Sequence, residues 1–222
     1  MVWRWDIVAR YYPYILAGVP ITLLISIGGF LIALALGLLL ALGRLSSRTW
    51  PRAAASVYIT FFRGTPLLVQ LFLIHYGLPQ LFSYRPLSPL VDGIIILGLN
   101  ASAYVAEVYR ASINSVARGQ MEAARSLGMT ATTAMRLIVL PQALRIAVPP
   151  LFNEFIAVTK DSAQVFVLGV ADLMTRANLA AGRSFRQPEN YAMAAVLYLL
   201  LTMTFTLLSN WAERRFGRHE AA

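Results

Sequence analysis

Cysteine is absent from the 222 residues, and histidine occurs only at His75 and His219. Without thiols there is no disulfide framework, no thiol nucleophile, no Cys-ligated zinc and no iron–sulfur cluster, and two histidines leave little for a His-rich metal site. Charge is scarce too: 13% of the residues are Asp, Glu, Lys or Arg against 58% hydrophobic, and the mean hydropathy is +0.63. That is too apolar for an ordinary water-soluble domain and predicts an integral membrane protein. Acidic residues are the scarcer sign, ten against nineteen Lys and Arg, for a net charge of +9. On a membrane protein this excess is first a signal of topology, so nucleic acid is not expected as a partner. The chain lacks a Gly-x-x-x-x-Gly-Lys-Ser/Thr phosphate loop, a His-Glu-x-x-His pair and a Gly-x-Ser-x-Gly elbow. It is therefore not expected to bind ATP itself or to be a zinc peptidase or a serine hydrolase.

What the sequence does contain is long apolar runs. Crossing the hydrocarbon takes about 20 mostly apolar residues, and five stretches qualify, at about 14–42, 58–82, 90–113, 148–170 and 191–211. The first is too long and too internal for a cleavable signal peptide, and its glycines Gly18, Gly28, Gly29, Gly37 and Gly43 predict close helix approach. The second is interrupted at Arg63-Gly-Thr-Pro66, where a kink or restart is expected, with Thr65 capping a helix that begins at Pro66. The remaining segments are short except for one of about 114–147, so the chain reads as one transmembrane domain over 1–222. Trp3, Trp5, Tyr11, Tyr12 and Tyr14 suit either an interfacial aromatic belt or a short surface helix.

Positive residues orient the spans. Arg44, Arg48, Arg52, Arg110, Arg118, Arg125, Arg136, Arg145, Arg214, Arg215 and Arg218 fall on one side, eleven against the six of Arg4, Arg10, Arg85, Arg176, Arg183 and Arg186. The N-terminus is expected outside and the C-terminus in the cytoplasm, which requires an odd number of spans.

The long inner segment carries the most specific pattern. Gln120 to Leu127 is helical by propensity, Gly128 stands where a left-handed cap would end it, Thr130 can cap a second helix over 131–140, and Pro141 is expected to close that helix. Two short helices meeting at a glycine corner form an element suited to being gripped by another protein. The run Glu122-Ala123-Ala124, three residues, Gly128, nine residues, Ile138, one residue, Leu140-Pro141 resembles the EAA motif of the permease subunits of bacterial ABC importers. The resemblance narrows to the polar amino acid branch, which serves histidine, glutamine, glutamate, arginine and related substrates. It rests on Leu16-x-Gly18 with Thr22-Leu23, Phe62-Arg63-Gly64-Thr65-Pro66-Leu67-Leu68, Ala103-Tyr104-x-Ala106-Glu107-x-x-Arg110, Gly119-Gln120, Asn153-Glu154, Lys160-Asp161 and Glu213-Arg214-Arg215. Ala111 replaces a glycine usual in that branch, and Ser162-Ala163-Gln164 replaces its usual Thr-Ser-Leu; the second departure lies beside the expected path and bears on substrate identity.

The resemblance implies an all-α fold of about five transmembrane helices, the type I ABC importer permease fold, in the bacterial inner membrane. It implies a transporter subunit rather than an enzyme, without a cofactor of its own, ATP and Mg being bound by a partner ATPase. The implied partners are that ATPase, a second permease protomer (identical or paralogous) and an external substrate-binding protein, besides the lipid. Glu122, Ala123, Ala124, Arg125 and Gly128 are the implied ATPase-coupling residues. A channel without ATP coupling and a membrane-embedded enzyme are the competing classes; the first leaves the filled EAA pattern unexplained.

Ionisable groups at bilayer depth are costly and mark candidate functional positions. Glu154 and Asp161 are seven residues apart, so on a helix they share one face about 10 Å apart along the axis. They are expected to receive the cationic groups of an amino acid, favouring arginine, lysine or histidine. Lys160 points about 100° away from Asp161 and serves either the substrate or another helix or protomer; Ser162 follows as a further binding candidate. Asn100, Tyr104 and Glu107 also share a face, at offsets of four and three. Asn100 suits a substrate carboxylate or amide, and Tyr104 either closes over the substrate or packs the helix. Glu107 is placed for a gate, a binding role or an ion pair with Arg110. Arg63 is expected to hold the turn beside Pro66, and His75 to be a packed histidine beside Tyr76.

Overall fold

The computed structural model describes residues 3–216, with side chains to 211. Arg218 and His219 lie outside the described residues, and the side chains of Glu213, Arg214 and Arg215 are likewise outside the description. The described chain is helical throughout, without a strand. Four helices are long and apolar enough to cross a membrane, or five if a sharply bent pair counts as one span.

The first of these begins as a separate helix, α1 (Trp5–Leu16), and continues after a step at Ala17-Gly18 as α2 (Val19–Leu45). At about 1.5 Å per residue α2 alone is roughly 40 Å long and suffices to span, so residues 14–16, expected at the start of the first span, belong instead to α1. Gly18 makes the step against the start of α10 (Leu173–Ser184): a Cβ there would lie 2.6 Å from the Leu173 backbone. Further along, α2 packs closely on α6 (Pro89–Ser115). Gly29 and Gly98 let the two backbones touch, since a Cβ on Gly98 would stand 2.8 Å from the Gly29 carbonyl oxygen. In lipid, where burying apolar surface between helices gains little, this van der Waals contact between backbones is the main source of association.

The second span is the bent pair. Helix α3 (Thr49–Gly64) begins before the apolar run expected from about 58, and the chain turns by 106° before α4 (Leu67–Phe72), a π-helical turn (Leu73–Gly77) and α5 (Leu78–Phe82). The residue before a proline is pushed out of the helical region, and Thr65 is extended at φ −121°, ψ 144°. Thr65 does not cap the next helix as expected: Pro66 is the extended residue before Leu67, and the Thr65 hydroxyl donates to Phe61 O at 2.9 Å. Backbone opened inside a membrane must find internal partners. Gln70 supplies them, its Nε2 donating to Phe62 O at 3.0 Å and Thr65 O at 3.1 Å, and Asn100 Nδ2 reaches Phe62 O at 3.2 Å.

The inner segment differs most from expectation. After α7 (Arg118–Ser126), helix α8 (Ala131–Ala134), a π-helical turn (Met135–Val139), α9 (Leu140–Asp161) and a 3₁₀ segment (Ser162–Leu168) form one rod over Ala131–Leu168. Pro141 does not close a helix. A proline in a helix lacks an N–H and crowds the carbonyl four residues back; here the wider π turn just before it relieves that crowding, and Gln142 Nε2 donates to Ile138 O at 2.8 Å. The fourth membrane helix therefore begins within the segment expected to be a loop to 147, and Arg136 and Arg145 sit on it. Helix α10, absent from the sequence reading, is capped by Asp172, which accepts from Thr175 N at 2.9 Å. It packs with α1 on α11 (Gln187–Phe216), which starts a little before the expected 191.

Candidate functional site

Two hollows adjoin between α3, α6 and α9. On the orientation expected from the positive residues, the outer one, about 420 Å³, is lined by Arg63, Thr65, Asn100, Tyr104, Asp161 and Gln164 among others; the inner one, about 290 Å³, by Arg63, Tyr104, Glu107, Ser112, Pro150 and Glu154 among others. Both volumes are near the lower end of the roughly 300–1,000 Å³ usual for small-molecule sites. Arg63 and Tyr104 belong to both, and they touch: the guanidinium carbon stands 5.3 Å from the centre of the Tyr104 ring. A third hollow of about 360 Å³ between α2 and α9 is lined by Ile27, Phe30, Leu34, Phe152 and other hydrocarbon side chains, and has no polar group to orient an amino acid.

Helix α9 delivers the two carboxylates. The rod carries Glu154 and Asp161 through membrane depth on one face, both half-buried, one at each hollow. Charged groups are tolerated there because the hollows replace lipid. Glu154 shares its hollow with Arg63, and Asp161 shares its own with Arg63 and Gln164. Lys160 itself is exposed and lines neither hollow. Ser162 is fully buried, its hydroxyl donating to Thr159 O at 2.7 Å, and it too lines neither hollow.

Helix α6 supplies the opposing face. Asn100 Nδ2 is committed to Phe62 O and, at 2.9 Å, to Gln70 Oε1, so its amide holds the α3–α4 break open; its carbonyl oxygen has no partner among the described residues. Tyr104 is partly exposed into the hollows. Glu107 lies one turn inward and is ion-paired to Arg110 at 2.7 Å and to Arg44 of α2 at 3.5 Å. Gln164 belongs to the Ser162-Ala163-Gln164 departure noted in the sequence and lines the hollow with Asp161; Gln70 is not among the sequence candidates, although a glutamine four residues after a proline in an apolar run is itself a signal of open backbone nearby. His75 packs edge-on to Tyr76 and also hydrogen-bonds Asp92; both are buried.

At the inner end α7 stands on the turn Met135–Val139 through Ala124, which is 4% exposed, and Met121. Glu122, Ala123 and Arg125 face outward, and Leu127 is 82% exposed. The helix ends in a left-handed cap: Gly128 has φ +85°, and Met129 N donates to Ala124 O at 3.2 Å. A Cβ at Gly128 would meet nothing within 4 Å, so it is the backbone angle that requires glycine. Thr130 then accepts from Thr133 N at 3.2 Å to start α8.

Residues 33–218 match the family described as the binding-protein-dependent transport system inner membrane component. The chain belongs to that family, as an amino-acid ABC transporter permease subunit and not itself an enzyme. The probable amino-acid permease protein YxeN of Bacillus subtilis (strain 168) is 39% identical over 215 residues, covering 96% of each chain. The arginine transport system permease protein ArtQ of the same organism is 37% identical over 94% of each, and the glutamine transport system permease protein GlnP of Escherichia coli (strain K12) is 32% identical over 97% of this chain and 98% of that one. A crystal structure of an amino acid ABC transporter with histidines superposes with a TM-score of 0.90 at 42% identity, covering 97% of this chain and all of that one. The MetNI methionine ABC transporter, at 21% identity and a TM-score of 0.72 over 95% of this chain and 96% of that one, shares the fold. The chain is thus a multi-pass inner-membrane protein of the type I importer fold, in a family that works with an ATPase and a substrate-binding protein.

Proposed function

We propose that the chain forms the path for a cationic amino acid, arginine, lysine or histidine, with Asp161 receiving it at the outer hollow and Glu154 at the inner one. The observation that carries this is the placement of two half-buried carboxylates on one face of α9, one at each of two adjoining hollows. An isolated carboxylate at membrane depth gains most from a mobile cation. A relative named for arginine and a neighbour described with histidines support the reading; other relatives are named for glutamine and cystine, which are neutral. The Asn100 carbonyl oxygen and Gln164 orient the backbone groups of the amino acid. Lys160, exposed on the single chain, faces the second protomer, and Ser162 positions the end of α9 instead of touching cargo.

Glu122, Ala123 and Arg125 dock on a partner ATPase that binds ATP and Mg. Closure of two ATPase copies drives two permease protomers, N-termini outside and C-termini in the cytoplasm, between inward-open and outward-open states, and the external binding protein supplies the cargo. ATP-driven uptake by the complete transporter with Glu154→Ala or Asp161→Ala tests the site. Arginine uptake is expected to fall at least tenfold in each variant, the order of a lost charge pair, with little change in complex yield. Undiminished arginine uptake with unchanged preference would refute it.

A further inference from the structure

We propose that Arg63 is a built-in stand-in for the cargo's cation: between transport events it occupies the partition between the two hollows, on the Tyr104 ring and beside Glu154, and an arriving cationic amino acid displaces it. The proposal rests on the cationic reading above and goes beyond it in giving Arg63 a specificity role. Arg63 and Tyr104 are the two residues common to both hollows. Among the described residues the Arg63 guanidinium has no hydrogen bond and no ion pair; its contact is the face of Tyr104 at 5.3 Å. The other arginines near the path differ, since Arg110 and Arg44 are tied to Glu107.

A guanidinium at membrane depth with its donors unused is costly unless it serves a pathway, and a lone cation–π contact is weak enough to exchange. Its location also fits exchange. Arg63 is the last side chain of α3 before Gly64 and the 106° break, so no following helical turn packs over it. Arg63 is itself exposed, which leaves the guanidinium room to swing. It lines the same hollow as Glu154, the carboxylate a cationic cargo would claim. A neutral amino acid cannot replace Arg63 at either place, so the exchange discriminates by charge.

The test uses the purified complete transporter, with equilibrium binding of radiolabelled L-arginine and L-glutamine to wild type, Arg63→Gln and Arg63→Lys. Arg63→Gln is expected to bind arginine about fivefold tighter, the change for removing a competitor held by one cation–π contact, with glutamine binding unmoved; Arg63→Lys keeps the wild-type ratio. A parallel shift for both amino acids, or none, overturns the proposal and leaves Arg63 a structural residue of the turn. If Arg63→Gln fails to assemble, phenylglyoxal labelling of wild type reads the same event: L-lysine, which carries no guanidinium to consume the reagent, should speed modification of Arg63 and L-glutamine should not, and an unchanged rate with L-lysine overturns it. If wild type binds no cationic amino acid, the cationic reading fails and this proposal with it; a wild type that prefers arginine with an unshifted Arg63→Gln removes this proposal alone.

Discussion

At the scale of single residues, the α3–α4 break is a problem of orphaned carbonyls solved by two amides. Gln70 and Asn100 together satisfy Phe62 O and Thr65 O. Replacing Gln70 by Leu, of similar size, strands Thr65 O and leaves Phe62 O with Asn100 alone, and is expected to cost about 1–3 kcal/mol, seen as a lower melting temperature of the purified complex. An unchanged melting temperature would mean the break is held by packing alone. Asn100→Leu is expected to do the same and also to weaken cargo binding, because Asn100 borders the outer hollow. The candidate carboxylates were legible in the sequence because charge in an apolar run is conspicuous. Arg63 was legible as a charge, but its partner was not: the ring it meets lies 41 positions away, and it is the packing of α3 on α6 that makes the contact.

Helices and their junctions follow a different logic. The glycine corner after α7 could be read in advance because a single residue type meets a single backbone demand, φ +85°. Alanine at Gly128 is expected to cost about 1–2 kcal/mol locally for the left-handed angle. It should reduce co-purification of the ATPase and its stimulation while leaving arginine binding intact; loss of binding would show that the corner serves the fold as a whole. Pro141 was read as a stop because proline forbids an ordinary helix. The π turn over 135–139 escapes that rule by changing the hydrogen-bond register one turn earlier, a compensation with no residue signature of its own. Helix α10 escaped notice for the opposite reason: at 12 residues with mixed polarity it is too short for a span, and only its Asp172 cap advertises it. The α2–α6 seam belongs to this scale as well. Gly98→Ala puts a methyl 2.8 Å from the Gly29 carbonyl oxygen, where backbone and not a flexible side chain must yield; the expected loss is about 1–3 kcal/mol in thermal stability, and a neutral result would mean the helices separate without penalty.

Over the whole molecule, one continuous helical element links α7 to the two carboxylates. The rod Ala131–Leu168 starts at the corner beside α7, carries Glu154 and Asp161 through the membrane, and ends at the Gly169 turn that leads to α10. On the proposed function, a push on α7 would pass into the helix that bears both carboxylates. Because Ala124 is buried and Ala123 exposed, a cysteine for crosslinking to the ATPase belongs at Ala123, where an ATP-sensitive crosslink is expected. The most direct test of the whole account is uptake into proteoliposomes containing the complete transporter with its binding protein, comparing radiolabelled L-arginine, L-lysine, L-histidine and L-glutamine with and without ATP. The account predicts ATP-dependent uptake that favours the cationic amino acids over glutamine. Flux without ATP, or glutamine carried as well as arginine, would contradict it.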